Sequence, residues 1–242
     1  MKKLIQSVVN RIGYDLHKRD ARFHSECCVA HLARETGFTT VLDVGANTGQ
    51  FGSALREWGY RGRIISFEPL SLAHAMLLHT TRKDDLWMVA PRCAIGSKEE
   101  ATEINVSANS VSSSLLEISD KHVNSAPDSK YIGQETIQVL PLDVIVPRLC
   151  DDKQTFFLKI DTQGFEESVL NGAPHTLGRC LAVQLELSLT KLYASDFLFQ
   201  DGLNRMKNEG FEVFAIYPGF SNRESGQTLQ ADVIFLRNPS DL

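Results

Sequence analysis

Hydrophobic residues recur at helical spacing at the start of the chain. Leu4, Ile5, Val8, Val9 and Ile12 share one side, and Lys2, Lys3 and Arg11 the other. Residues 1–36 therefore read as helical. Gly13 interrupts the run, and a second helix around Ala21 to Thr36 stops at Gly37, a residue suited to closing a helix. This predicts an N-terminal helical cap, with a membrane-surface or dimerisation helix as the rival reading. After Gly37 short apolar runs alternate with amphipathic stretches. Strands are predicted at 41–44, 63–67, 86–95, 156–160, 181–187, 211–217 and 232–237, and helices at 51–58, 71–80, 165–170 and 203–209. Such alternation makes βαβ units and a mainly parallel sheet. The last two strands have no helix between them and predict an antiparallel hairpin at one sheet edge. The expected fold is α/β and Rossmann-like: a seven-stranded mixed sheet with helices on both faces, a 37–242 domain and the 1–36 extension. One segment breaks the rhythm. Residues 97–136 are rich in Ser, Asn, Asp and Glu, with Ser110 and the run Ser112-Ser113-Ser114, and read as a partly ordered lid or substrate loop.

The composition changes this picture little. With 242 residues, 43% hydrophobic and 23% charged, the chain buries a full core without a disulfide or metal staple. A net charge of -5 argues against nucleic acid as the main partner, because phosphate binding needs a basic surface. The cysteines Cys27, Cys28, Cys93, Cys150 and Cys180 are odd in number and include no C-x-x-C pair, which points to a reducing compartment, the cytoplasm. No apolar run approaches the ~18 residues of a membrane span. The basic N-terminus is broken by Gln6, Ser7, Asn10 and Arg11 and makes a poor signal peptide. His24, Cys27, Cys28 and His31 share a helical face, but without the spaced knuckles of a zinc site they read as helix packing.

The chemistry concentrates at strand ends. Asp43-Val44-Gly45-Ala46-Asn47-Thr48-Gly49-Gln50 sits where a strand becomes a helix, and its glycines let the backbone turn tightly against a ligand. It lacks the third glycine of G-x-G-x-x-G and the Lys of a P-loop, so nucleotide phosphate is disfavoured. Glu68 closes the next strand, about 20 residues on, where a carboxylate accepts hydrogen bonds from ribose hydroxyls, and Pro69 presets the turn. Asp161 ends a later strand and is placed to take a hydroxyl proton, bind substrate or hold a divalent metal. Its rival role is a helix N-cap. Lys159 is either its ion-pair partner or points to the opposite face. Glu186 on the following strand emerges beside Asp161 if the two strands are neighbours. His122, near Lys121 and Tyr131 in the polar insertion, is a candidate general base, and Asp143 a candidate N-cap.

Together these residues resemble the FkbM family of S-adenosylmethionine (SAM)-dependent methyltransferases. The matching pieces are VLDVGANTGQ (41–50), ISFEP (65–69), CAIG (93–96), LPLDVI (140–145), LKIDTQGFEESVLNGA (158–173), VQLELSL (183–189) and the closing segments within 210–237. The resemblance implies a class I methyltransferase fold. It places the methionine and ribose part of SAM on the Asp43–Gln50 loop, through Asp43, Gly45, Asn47, Gly49 and Gln50. It places the ribose hydroxyls on Glu68 beside Pro69, and the adenine near Ala94 and Ile95. It implies O-methylation of a sugar, glycan or natural-product hydroxyl. Asp161 or His122 then takes the proton and Glu186 orients the acceptor. A divalent metal is compatible with the carboxylates but is not predicted. Many members carry Asp-Val-Glu-Gly where this chain has Asp161-Thr162-Gln163-Gly164, which weakens any scheme needing a carboxylate at 163. The partners expected are a small-molecule or glycan acceptor, with a homo-oligomer or membrane-surface contact through residues 1–36 left open. The rival functions are an NAD-dependent oxidoreductase and a non-catalytic SAM- or sugar-binding module.

Overall fold

The computed structural model describes residues 2–14, 19–110, 112–119, 122, 125–193 and 197–238, with the backbone alone at 2–5 and 8. The side chains of Leu4, Ile5 and Val8, and all of Lys121, therefore lie outside the described residues. The chain opens with helices α1 (Lys2–Arg11) and α2 (Ser25–Thr36). Strand β1 (Thr40–Val44), helix α3 (Gln50–Glu57), strand β2 (Arg63–Phe67), helix α4 (Ser71–Thr81) and strand β3 (Trp87–Val89) follow. Next come β4 (Ala94–Ile95), β5 (Glu100–Ser107), β6 (Tyr131–Leu140), α5 (Leu142–Leu149), β7 (Phe156–Ile160), α6 (Glu166–Asn171) and α7 (Pro174–Gly178). The chain ends with β8 (Cys180–Ser188), α8 (Phe199–Asn208), β9 (Phe211–Pro218) and β10 (Gln230–Arg237).

Seven strands form the main sheet in the order β3-β2-β1-β7-β8-β10-β9. The first five run parallel, and β10 is antiparallel to both β8 and β9. β1 and β7 are buried at every position, as strands covered on both faces must be. Alternate residues divide between two cores. Leu42, Ile65, Leu158 and Leu185 face the side packed by α5 to α8, and Val41, Ile64, Phe157 and Ile234 face α2 and α3. The helix α2 is part of this second core through Cys28, Val29, Ala30 and Leu32. It ends at Gly37 with φ +75, as its sequence predicts. It begins at Ser25 and not near Ala21, because Ala21–Phe23 form a turn and Arg22 donates to Asp20. No helix among the described residues is long and apolar enough to cross a membrane.

One expectation needs correction. Residues 86–95 are not one strand. β3 pairs with β2, whereas β4 pairs with β6 in a separate three-stranded sheet of order β4-β6-β5. Pro91 in the connection lacks the N–H a continuing strand would need. The insertion 97–136 is ordered in part: it holds β5 and the first half of β6, which pair antiparallel from Glu100↔Val139 to Ser107↔Tyr131, and Ser110, Ser113 and Leu115 between them line the cleft described below. Its polar composition has a simple cause. Among these strands only Ile104, Ser107, Ile137 and Val139 are buried, and most of the other positions meet water. The buried face, with Ile104, Ile137 and Val139, packs on Leu70 and Ala73 and on Ala94.

Candidate active site

The carboxyl ends of β1, β2 and β7 open into a cleft of about 340 Å³. Gly45, φ +78, turns the chain off β1. A Cβ there would lie 1.9 Å from the Asp161 carbonyl oxygen, so only glycine lets the two strand ends come together. Gly45 N and Ala46 N both donate to Phe67 O at 3.1 Å, fixing the loop to the end of β2. Asn47 follows at φ 46, a conformation Asn tolerates better than most residues. Its N–H donates to Glu68 Oε2 at 2.8 Å, and the other Glu68 oxygen accepts from Leu70 N at 2.9 Å. Burial pushes the Glu68 carboxyl up to about 7, against the pull of these two N–H bonds. Gly45, Asn47, Gln50, Glu68 and Pro69 all line the cleft, with Ala94, Ile95, Ile104, Leu115 and Phe165 as an apolar wall. Asn47 Nδ2 also donates to Ser110 Oγ at 3.2 Å, joining the loop to the insertion.

Two residues of the loop serve it from behind. Gly49, φ +93, packs against Leu77 and Trp87 and does not line the cleft. Asp43 is fully buried beneath the floor, accepting from Ser66 Oγ at 3.1 Å and facing Lys159 Nζ at 3.5 Å. Asp43 is opposite Lys159 in register, on the same face of neighbouring strands, so the Lys159 side chain lies with the acids.

Lys159 Nζ donates to Gly45 O at 3.1 Å and pairs with Asp161 Oδ2 at 3.2 Å. Burial opposes its charge, but Asp161 and Asp43 outweigh that and raise its pKa above the ordinary lysine value. Burial likewise opposes the Asp161 charge, yet Lys159 and Gln163 hold its carboxyl below the usual carboxylate range. The Gln163 amide bridges the acids. Its Nε2 donates to Asp161 Oδ1 at 2.8 Å and to Glu186 Oε2 at 2.6 Å, while its Oε1 accepts from Tyr193 Oη at 2.6 Å. Strands β7 and β8 are neighbours, so Asp161 and Glu186 do come together, with Gln163 between them. Glu186 does not itself line the cleft. Burial and the charges of Asp161 and Asp232 push its carboxyl well above the carboxylate range.

Glu166, in the first turn of α6, closes the turn that carries Gln163. Its Oε1 accepts from Thr162 N (3.0 Å), Thr162 Oγ1 (3.2 Å) and Gly164 N (3.1 Å), and burial pushes its carboxyl up to about 7. Asp161 caps nothing here. Asp143 lies inside the first turn of α5 rather than capping it, and its carboxylate accepts from His175 N and Thr176 N at the start of α7.

His122 is not brought to the cleft. It is 2% exposed, stacked on Phe220 and edge-on to Tyr193, and burial pulls its pKa down to about 4. The cleft is also lined by Ser25 and Glu26 of α2 and by Gln184 and Asp232, to which the strand-end reading gives no role. Two of these carry a signal: a polar residue between apolar neighbours in a strand, Gln184 between Val183 and Leu185 in β8 and Asp232 between Ala231 and Val233 in β10. Glu26 carries none, because its place depends on how α2 docks. Among the described residues no group of three or more His, Cys, Asp or Glu is suited to a metal ion.

Residues 43–213 match the methyltransferase FkbM domain. The chain belongs to the FkbM methyltransferase family. A candidate O-methyltransferase from Klebsiella pneumoniae has a similar structure, with a TM-score of 0.51 at 11% identity over 98% of this chain and 89% of that one. An rRNA methylase from Streptococcus thermophilus superposes at 0.47, with 9% identity over 92% and 98% of the two chains. The SAM-bound fibrillarin of Aeropyrum pernix superposes at 0.46, with 10% identity over 82% and 66%. The fold is that of class I methyltransferases. No curated protein sequence matches the chain.

Proposed function

We propose that this protein transfers a methyl group from SAM to a hydroxyl oxygen of a sugar, glycan or natural-product acceptor. One observation carries the reading: the glycine turn after β1 and the acid after β2 line the same cleft, joined by the 2.8 Å bond from Asn47 N to Glu68 Oε2. The residues fit the cofactor. Gly45 brings the ends of β1 and β7 together at the cleft, Glu68 keeps lone pairs for ribose hydroxyls, and Ala94, Ile95, Ile104 and Leu115 offer an adenine an apolar wall. SAM, when bound, supplies an electrophilic methyl group on a sulfonium sulfur. Membership of a methyltransferase family favours this over hydride transfer.

The chain's own residues then align and orient. Asp161 is ionised at neutral pH and lines the cleft, so it accepts a hydrogen bond from the acceptor hydroxyl and turns an oxygen lone pair toward the methyl carbon. It is a weak base, held so by Lys159, and takes the hydroxyl proton as the oxygen gains its methyl carbon and becomes strongly acidic, so most of the acceleration comes from alignment of two bound reactants. Glu186 works from behind, through Gln163. His122 has no part, because its ring is enclosed by Tyr193 and Phe220.

Titration calorimetry with S-adenosylhomocysteine tests the cofactor half. Glu68→Ala is expected to weaken binding roughly tenfold or more, and an unchanged affinity would place the cofactor elsewhere. Methyl transfer from labelled SAM to a pool of hydroxyl-bearing glycans tests the acceptor half. Asp161→Asn is expected to cut turnover while leaving S-adenosylhomocysteine affinity intact. Label found only on nitrogen would overturn the oxygen assignment.

A further inference from the structure

Tyr193 stands outside the cleft, yet its hydroxyl reaches the acids through a single intermediary. The residue is 4% exposed and does not line the cleft. The polar insertion holds it from one side. Ile118 forms a β-bridge with Tyr193, Ser119 N donates to Leu192 O at 2.9 Å, and the His122 ring meets the Tyr193 ring edge-on at 5.2 Å. From the other side the turn after β7 closes on it. A Cβ on Gly164 would lie 2.9 Å from Tyr193 Cβ and Cγ, so a side chain at 164 would push the ring away. Packing therefore places the phenol. Burial first, then the Glu186 charge, raise its pKa above the ordinary tyrosine value, so the hydroxyl keeps its proton and stays a donor.

The sense of the Gln163 amide follows from this donor. Its Nε2 has two hydrogens, and both are taken: Asp161 Oδ1 accepts at 2.8 Å and Glu186 Oε2 at 2.6 Å. Its Oε1 accepts from Tyr193 Oη at 2.6 Å. Turning the amide over would set its oxygen against two carboxyls and leave the buried phenol proton facing an N–H. Accepting at oxygen also polarises the amide and strengthens donation from its nitrogen. Asp161 is thereby held at both oxygens, by Gln163 at Oδ1 and by Lys159 at Oδ2, 3.2 Å away. We propose that Tyr193 is a positioning residue for methyl transfer: its hydroxyl orients the Gln163 amide, and the amide fixes the Asp161 carboxylate that the acceptor hydroxyl meets. This rests on the reading of Asp161 as the group that receives that hydroxyl. The insertion then has a second task besides lining the cleft, since Ile118 and His122 support Tyr193.

Tyr193→Phe keeps the ring and removes the donor, and circular dichroism checks its fold. NMR follows protein isotope-labelled in the aspartate and glutamate carboxyls, with Asp161→Asn and Glu186→Gln assigning the signals. The amide donates to both acids, so weakening it disfavours their ionised forms. In Tyr193→Phe the upper titration step of the Asp161–Glu186 pair is expected to move up by roughly one pH unit. In a Gln163→Met background the same substitution should add no further shift. An unmoved titration, or an equal shift with and without the amide, means that Tyr193 only packs, and overturns the proposal. Should Tyr193→Phe not fold, the wild type decides: a slowly exchanging Tyr193 hydroxyl proton with an NOE to the Gln163 amide upholds it, and its absence overturns it. Methyl transfer from labelled SAM to hydroxyl-bearing glycans gives the second readout. Tyr193→Phe is expected to lose roughly tenfold in turnover, with S-adenosylhomocysteine affinity unchanged. If Tyr193→Phe alone keeps full turnover, the proposal falls. If Asp161→Asn keeps it as well, the fault lies in the Asp161 reading.

Discussion

Gln163 adopts φ 55 at the end of β7, a left-handed conformation that a side chain rarely takes without a tertiary reason. The reason is its amide, which donates to Asp161 and Glu186 and accepts from Tyr193, while its backbone oxygen accepts from Ser114 Oγ at 2.7 Å. Gln163→Glu would replace two donated bonds by a third carboxylate among two others. We expect it to destabilise the protein by roughly 2–3 kcal/mol at pH 8. Part of that is recovered at pH 5, where the new acid keeps its proton and donates it. Urea unfolding at both pH values checks this, and an equal loss at pH 5 and 8 would show that the charge is not the cause. The same residues show what a sequence reveals of a site. Gly45 and Glu68 were legible because a turn and a strand end are local features. Asp43 and Gly49 belong to the same motif, yet face inward, and nothing in their spacing says so. His122 has the right chemistry for a base, but its burial depends on Phe220, nearly a hundred residues on.

At the scale of elements, the turn between β7 and α6 depends on Glu166. Three donors converge on one of its oxygens, and burial pushes its carboxyl up to about 7 from an ordinary 4.5. The folded protein thus holds the proton more tightly than the unfolded chain does. That contribution to stability is full below pH 4.5 and is lost as pH rises through 7, by on the order of 3 kcal/mol. Glu68, also pushed to about 7, adds to the same slope in the wild type, so the comparison must be with a variant. Glu166→Gln keeps an accepting oxygen and cannot ionise. Its stability relative to wild type should therefore improve between pH 4.5 and 8, and a constant difference in thermal unfolding across that range would refute the raised carboxyl. Elements themselves were the most legible level. Arg63–Phe67 and Phe156–Ile160 coincide with their predicted bounds, because three apolar residues of five in the first and four of five in the second, set between polar turns, leave one assignment. The split of 86–95 between two sheets was not legible, since β3 and β4 differ only in their partners, and pairing is long-range.

At the scale of the molecule, the first core strand alone does not complete the fold. Val29 and Leu32 of α2 are essentially without exposure and pack with Val41, Phe157, Ala182 and Ile234, and Tyr217 of β9 donates to Ala21 O. Burying such side chains contributes about 1.5–3 kcal/mol each, so with Cys28 and Ala30 the helix accounts for a large part of a typical net stability of about 5–15 kcal/mol. The described side chains of α1 are mostly exposed, and so is Ile12 just after it, by 67%. The two helices of the cap should therefore behave differently. A chain starting at residue 15 is expected to unfold in one cooperative transition close to that of the full chain. A chain starting at residue 37 should lose that cooperativity, and with Ser25 and Glu26 it loses one wall of the cleft. Scanning calorimetry of the two truncations distinguishes the cases. A sharp transition together with intact S-adenosylhomocysteine binding in the shorter chain would make α2 a detachable cap, and the sheet's second core would have to be stable without it.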